Sequence, residues 1–122
     1  MKKILFVEDE AALQEALGGF LTQSGYKVVS ALDGEIGLRL AESEQPDLIL
    51  LDLILPKFGG FEVLEKLKKN DKVKDIPVII LTNMENMADI NKAVQLGAST
   101  YLVKTEYELS EVIEKIKKII GE

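Results

Sequence analysis

Hydrophobic positions along the chain fall into two alternating kinds of run. Short unbroken aliphatic stretches bounded by turn residues read as strands from Ile4 to Val7, Lys27 to Ala31, Asp47 to Leu51, Val78 to Leu81 and Thr100 to Val103. A strand buried on both faces loses the in-and-out alternation of a half-exposed sheet, so continuous aliphatic residues are its signature. Between these runs apolar residues recur at helical spacing. Leu13, Ala16, Leu17, Phe20 and Leu21 make one stripe, stopped by Ser24 and Gly25. Near the end, Leu109, Val112, Ile113, Ile116, Ile119 and Ile120 make another, with glutamates early and Lys115, Lys117 and Lys118 late, as the helix dipole favours. Weaker helical stretches run from Glu35 to Glu44, Phe61 to Asn70 and Met87 to Leu96, the last closed by Gly97.

Five strands and five helices in strict alternation predict an α/β fold in one domain over residues 1–122: a five-stranded parallel sheet, doubly wound. In such sheets crossovers are right-handed and ligands bind beyond the carboxyl ends of the strands. The stretch "DLILLDLILP", residues 47 to 56, then poses a question, because Asp52 interrupts an otherwise aliphatic run. An ionised acid buried without a partner costs several kcal/mol. It is tolerable if Asp52 ends the third strand at that reactive edge.

The residues just past the other strands support this. Glu8, Asp9 and Glu10 follow the first, Thr82 and Asn83 the fourth, and Lys104 and Thr105 the fifth, while the second offers only Leu32 and Asp33. With the first and third strands adjacent, Glu8, Asp9 and Asp52 converge, with Thr82 and Lys104 on the far rim. Two like charges about 4 Å apart repel by roughly 4 kcal/mol at an effective dielectric near 20, so such a cluster asks for a counter-cation. All-oxygen ligands without His or Cys suit Mg²⁺, which commonly shares its coordination with a phosphate. A carboxylate can also attack phosphorus to give an acyl phosphate. Asp52 fits that role, with Mg²⁺ on one side of the phosphoryl group, Lys104 on the other, and the Thr82 hydroxyl as a hydrogen-bond donor.

Composition narrows the chemistry. Cysteine and histidine are both absent, which removes disulfides, thiolate sites, His-based acid–base work and any phosphohistidine carried by this chain. The net charge is −6, and basic residues cluster only as KLKK and KIKK on expected helices, so no direct nucleic-acid contact is expected. No apolar run reaches the 18 or so residues of a membrane span, and the start MKKILFVEDE has too short an apolar stretch for a signal peptide. No membrane contact and a cytoplasmic location are the expectation.

Taken together, VEDE at the first strand end, LLDLILPKFGGFEVL around the third, IPVIILT at the fourth and GASTYLVK at the fifth make a chain that resembles the receiver domain of bacterial two-component response regulators over nearly its whole length, of the chemotaxis single-domain type. The resemblance implies strand order 2-1-3-4-5. It implies a phosphoprotein of phosphorelay signal transduction rather than an enzyme, with limited self-phosphorylation from small phosphodonors and self-dephosphorylation. Asp52 would accept a phosphoryl group from a histidine of a sensor kinase or phosphotransfer protein. Asp9 and Asp52 would bind Mg²⁺ directly, Glu8 through water, and the Ile54 carbonyl would be a further ligand. The Asn83 backbone N–H would contact the phosphate, and Lys104 and Thr82 would hold its oxygens. Tyr101 looks like the family's switch aromatic, rotating into space vacated by Thr82 and altering the surface of the fourth helix, fifth strand and fifth helix. A downstream target protein would read that surface, and a phosphorylation-dependent homodimer stays open.

The chain departs from the family pattern at several points. Lys104-Thr105 replaces the usual Lys-Pro, and since a non-proline cis bond costs about 2.5 to 4 kcal/mol, a trans bond is expected. Thr105 and Glu108 have the spacing of a capping box for the last helix. Asn83 is larger than the usual small residue there. Ile54 and Met84, two beyond Asp52 and Thr82, are apolar at positions that influence hydrolysis in the family, so a long-lived phosphoryl-Asp52 is expected. Gly18-Gly19 lies inside the first helix, at a cost of roughly 1 kcal/mol per glycine relative to alanine, which close packing against another helix would explain. Three alternatives compete: an unphosphorylated receiver-like interaction domain, an Asp/Mg²⁺ phosphatase, and a flavodoxin-like cofactor binder. The second would want D-x-D where EDE stands, and the third a phosphate loop after the first strand.

Overall fold

The computed structural model describes residues 1–121. Its elements are β1 (Lys3–Val7), α1 (Ala11–Gln23), β2 (Lys27–Ala31), α2 (Gly34–Glu44), β3 (Leu48–Leu51), α3 (Gly60–Lys69), β4 (Val78–Thr82), α4 (Met87–Gln95), β5 (Thr100–Val103) and α5 (Leu109–Ile120). The strands form one parallel sheet in the order β2-β1-β3-β4-β5. Alternation along each strand divides the core. Leu5, Val7, Ile49, Leu51, Val78 and Ile80 face α2, α3 and α4. Ile4, Phe6, Leu48, Leu50, Ile79 and Leu81 face α1 and α5. Both faces are covered along β1, β3 and β4, which is why Ile4 to Val7, Leu48 to Leu51 and Val78 to Leu81 include no polar residue.

Small boundary shifts have local causes. Asp47 stands just outside β3, where its carboxylate accepts the Lys3 N–H at 2.7 Å. Thr82 is the last residue of β4, in register with Val103, rather than the first beyond it. The expected Thr105–Glu108 box does not form, because Lys104–Glu106 turn into a short 3₁₀ segment. The box instead joins Glu108 and Glu111, whose Oε1 accepts the Glu108 N–H at 2.9 Å. No peptide bond among the described residues is cis, so Lys104-Thr105 is trans as its chemistry dictates. A Cβ added at Gly18 or Gly19 would meet nothing within 4 Å, so packing inside this chain does not require either glycine.

Candidate functional site

Register builds the site. Val7 pairs with Leu51, so the next residues, Glu8 and Asp52, emerge side by side on neighbouring strands about 4.8 Å apart. The ladder runs one step further than the strands: the Asp52 N–H donates to the Val7 carbonyl at 3.1 Å and the Glu8 N–H to the Ala31 carbonyl at 3.0 Å. The main chain of both acids is thereby fixed at the sheet edge. Glu8 is fully buried and Asp52 5% exposed, while Asp9 is exposed. One oxygen from each of the three lies within 4.8 Å of the others.

Behind Asp52 the chain turns tightly into α3. The Gly60 N–H donates to the Leu53 carbonyl at 2.9 Å, and a Cβ at Gly60 would overlap the backbone of Asp52 and Leu53. Only glycine lets the helix start this close to the acid. The Ile54 N–H donates to Asp52 Oδ1 at 3.2 Å, which aims the carboxylate, and the Ile54 side chain is 59% exposed at the rim.

Lys104, expected on the far rim, sits in the middle of the acids. Its Nζ lies 2.9 Å from Asp52 Oδ2, 2.8 Å from Glu8 Oε1 and 3.5 Å from Glu10 Oε1. The short 3₁₀ turn that opens at Lys104 follows β5 directly, in the place of the usual Lys-Pro junction. The Glu8 contact is an ion pair off the line of a hydrogen bond, leaving Glu8 Oε1 buried without a directed donor. Its other oxygen accepts the Glu10 N–H at 3.0 Å. Burial pushes the Glu8 carboxyl above the usual glutamate range, against the pull of Lys104 and the Glu10 N–H, and the neighbouring Asp52 charge adds to the rise. Burial pulls the Lys104 ammonium down, but its contacts with Glu8 and Asp52 outweigh that and hold it above the ordinary lysine value. One ammonium thus serves a cluster with more negative charge than it can offset. A dry carboxylate oxygen whose only cation is an ammonium shared with two other acids, within a set of hard oxygen ligands, fits a divalent cation such as Mg²⁺.

On the β4 side, Thr82 is fully buried and its Oγ1 accepts the Met84 N–H at 3.4 Å, so its hydroxyl leans on the local backbone. The half-buried Tyr101 donates from its hydroxyl to the Met84 carbonyl at 2.7 Å. Met84 therefore connects Thr82 to Tyr101 through one residue. Burial raises the Tyr101 phenol above its usual value, with the charges of Asp89 and Asp52 adding to it. Asn83 is exposed beside Thr82. Of the other strand-end residues, Asp33 caps α2 by accepting the Ile36 N–H at 2.8 Å and plays no part in the cluster.

Two further residues border the site, one inside VEDE and one outside any motif. Glu10 reaches Lys104 from the N-cap of α1, and Gln14 donates from its side-chain nitrogen to the carbonyls of Phe6, Glu8 and Ala31 at 2.9, 3.1 and 3.2 Å. The acids beside Glu10 signalled it; nothing in the sequence signalled Gln14.

The chain as a whole is similar to known proteins. The response regulator receiver domain family matches residues 4–117. The chain is 36% identical over 98% of its length to the DNA-binding dual master transcriptional regulator RpaA of Synechocystis, of which the match covers 49%, and 40% identical over 98% of its length to the alkaline phosphatase synthesis transcriptional regulatory protein PhoP of Bacillus subtilis, of which it covers 48%. The chain thus spans about half the length of the curated relatives it matches. The receiver domain of the sensor histidine kinase PA1611 from Pseudomonas aeruginosa, solved with a magnesium ion in its active-site cleft, superposes with a TM-score of 0.89 at 29% identity over 99% of this chain and 98% of that one. Among the described residues no helix is long and apolar enough to cross a membrane. The chain belongs to the receiver domain family of response regulators, the phosphoacceptor modules that histidine kinases phosphorylate in phosphorelay signalling.

Proposed function

We propose that Asp52 is the phosphoacceptor of this receiver. The observation that carries it is the buried pair Glu8 and Asp52 held against Lys104 at 2.8 and 2.9 Å, an excess of negative charge kept dry at one sheet edge. A carboxylate oxygen of Asp52 attacks the phosphorus of a phosphohistidine on a sensor kinase or phosphotransfer protein. The new P–O bond makes an acyl phosphate, the P–N bond breaks, and its electron pair returns to the imidazole. A small donor such as acetyl phosphate would react likewise, releasing acetate, and water would later return the carboxylate and free phosphate. Glu8, Asp9, Asp52 and the Ile54 carbonyl would hold Mg²⁺, which when bound supplies charge neutralisation for the phosphoryl oxygens. Lys104 stays protonated and moves from carboxylate to phosphoryl oxygen, since the transferred group brings charge to the place its ammonium already occupies. The Thr82 hydroxyl and the Asn83 N–H complete the oxygen contacts.

Thr82, Met84 and Tyr101 provide the output path. When the Thr82 hydroxyl turns to the phosphoryl group it releases the Met84 N–H, and the residue that anchors Tyr101 is freed to shift the surface of α4, β5 and α5 that a target protein or a second copy would read. The apolar side chains of Ile54 and Met84 place no acid or base beside the bond, which supports a long-lived phosphoryl group.

Intact-mass analysis after incubation with acetyl phosphate and Mg²⁺ tests the assignment. The expected result is a single phosphoryl adduct, absent in Asp52→Asn and in EDTA. An adduct that survives Asp52→Asn would overturn it.

A further inference from the structure

We infer that Gln14 is a positioning residue for the metal-binding loop, a role that rests on the proposed Mg²⁺ site. The loop from Glu8 to Glu10 carries the acids but has little local support. Glu10, the N-cap of α1, makes no side-chain cap, and its N–H is turned to the Glu8 carboxylate instead. Besides the backbone bond from the Glu8 N–H to the Ala31 carbonyl, the loop is held to the sheet by the Gln14 amide, reaching back from α1. Its nitrogen faces the carbonyls of Phe6 on β1, Glu8 on the loop and Ala31 at the end of β2, and the Ala31 carbonyl also takes the Glu8 N–H at 3.0 Å. One side chain thus ties together the two strand ends and the residue whose carboxylate is buried against Asp52.

The donor count is unusual. An amide nitrogen has two hydrogens, and three acceptors face it, while Gln14 Oε1 is buried without a partner. A polar group is kept in a place that favours donors only, although a buried unmet acceptor is a cost. That cost is understandable if the nitrogen's contacts set the direction of the Glu8 backbone. Groups that orient a metal ligand without touching the metal commonly alter metal affinity as strongly as a weak ligand does.

The test compares wild type with Gln14→Met, of similar length but without donors, and Gln14→Lys, whose ammonium has three donors and no acceptor. Mg²⁺ affinity is read from backbone amide shifts along a titration, with the metal-free melting temperature measured beside it. The expected result is an affinity about tenfold weaker in Gln14→Met, and within about threefold of wild type in Gln14→Lys. Equal affinity in wild type and Gln14→Met overturns the inference even if the melting temperature falls, because it leaves Gln14 a purely structural tie. A wild type that binds no Mg²⁺ overturns the proposed function itself, and the two failures are therefore distinct. If Gln14→Met does not fold, the Gln14 side-chain amide protons of the wild type decide. Slow solvent exchange without metal, and shifts that follow the Mg²⁺ titration, support the role; fast exchange without shifts overturns it.

Discussion

Both ends of the central strands set a lysine against acids, and only one end makes a site. At the amino end, Lys3 Nζ donates to the Glu44 carbonyl at 2.9 Å and to its Oε1 at 3.1 Å, while the Lys3 N–H meets Asp47. The Lys3 and Glu44 side chains are 25% and 36% exposed. At the carboxyl end, Lys104 is 12% exposed and shares one ammonium among Glu8, Asp52 and Glu10, with Asp9 alongside. The amino end is closed by its own partners and half in water. The carboxyl end is dry and short of positive charge. A strand-end lysine and acid do not by themselves imply chemistry; an imbalance the fold maintains does.

The largest effect should come from removing the ammonium that holds this imbalance in check. Lys104→Met leaves Glu8 and Asp52 buried beside each other without a counter-charge. Breaking such a pair is expected to lower the metal-free stability by about 3 kcal/mol near neutral pH, as measured by urea unfolding in EDTA. Saturating Mg²⁺ should recover most of that loss. A deficit that Mg²⁺ leaves untouched would mean that Lys104 acts by packing, and the charge contrast between the two ends would fall with it.

The opposite change, Glu8→Gln, should stabilise the metal-free protein. Burial raises the Glu8 carboxyl in the folded chain, so the folded state binds that proton more tightly than the unfolded one. The stability it contributes is complete below the ordinary value of 4.5 and is lost as pH rises through the raised value. Wild type in EDTA should therefore weaken from pH 4.5 towards neutrality in a step that Glu8→Gln lacks. The gain at neutral pH should be on the order of 1 kcal/mol, because relief of the repulsion with Asp52 is offset by the lost ion pair to Lys104. Parallel pH profiles for the two proteins would count against an unbalanced site.

These residues differ in how far the sequence disclosed them. Glu8, Asp9 and Asp52 were legible because aliphatic runs place strand ends to within a residue, and the parallel order brings two of those ends together. Lys104 was legible as a member but not in its position, since a rim placement follows from strand order alone whereas the reach of a lysine side chain across β4 does not. The misplaced capping box had a similar cause: the Thr105 spacing was correct in form, but the turn after β5 consumed Thr105. Gln14 was invisible because its partners are backbone carbonyls from separate segments, which leave no trace in residue identity. The partners of Lys3, Glu44 and Asp47, likewise come from a distant segment that residue identity does not link to it.

The smallest effect is the control that gives the others meaning. Lys3→Met removes an ion pair that is a quarter or more exposed on each side, and such pairs are typically worth less than about 1 kcal/mol. Some of its value lies in the contact with the Glu44 carbonyl, one of the otherwise open carbonyls at the end of α2. The contribution from the charges should shrink as salt is added, because water already surrounds both groups. It should not respond to Mg²⁺, since nothing at that end is left uncompensated. Urea unfolding of Lys3→Met and Lys104→Met side by side, with EDTA and with Mg²⁺, therefore decides whether the two ends differ in kind. If Lys3→Met proves as costly as Lys104→Met, or is rescued by Mg²⁺ to the same extent, then burial and imbalance are not what set the carboxyl end apart, and the assignment of the acceptor would have to rest on the phosphoryl adduct alone.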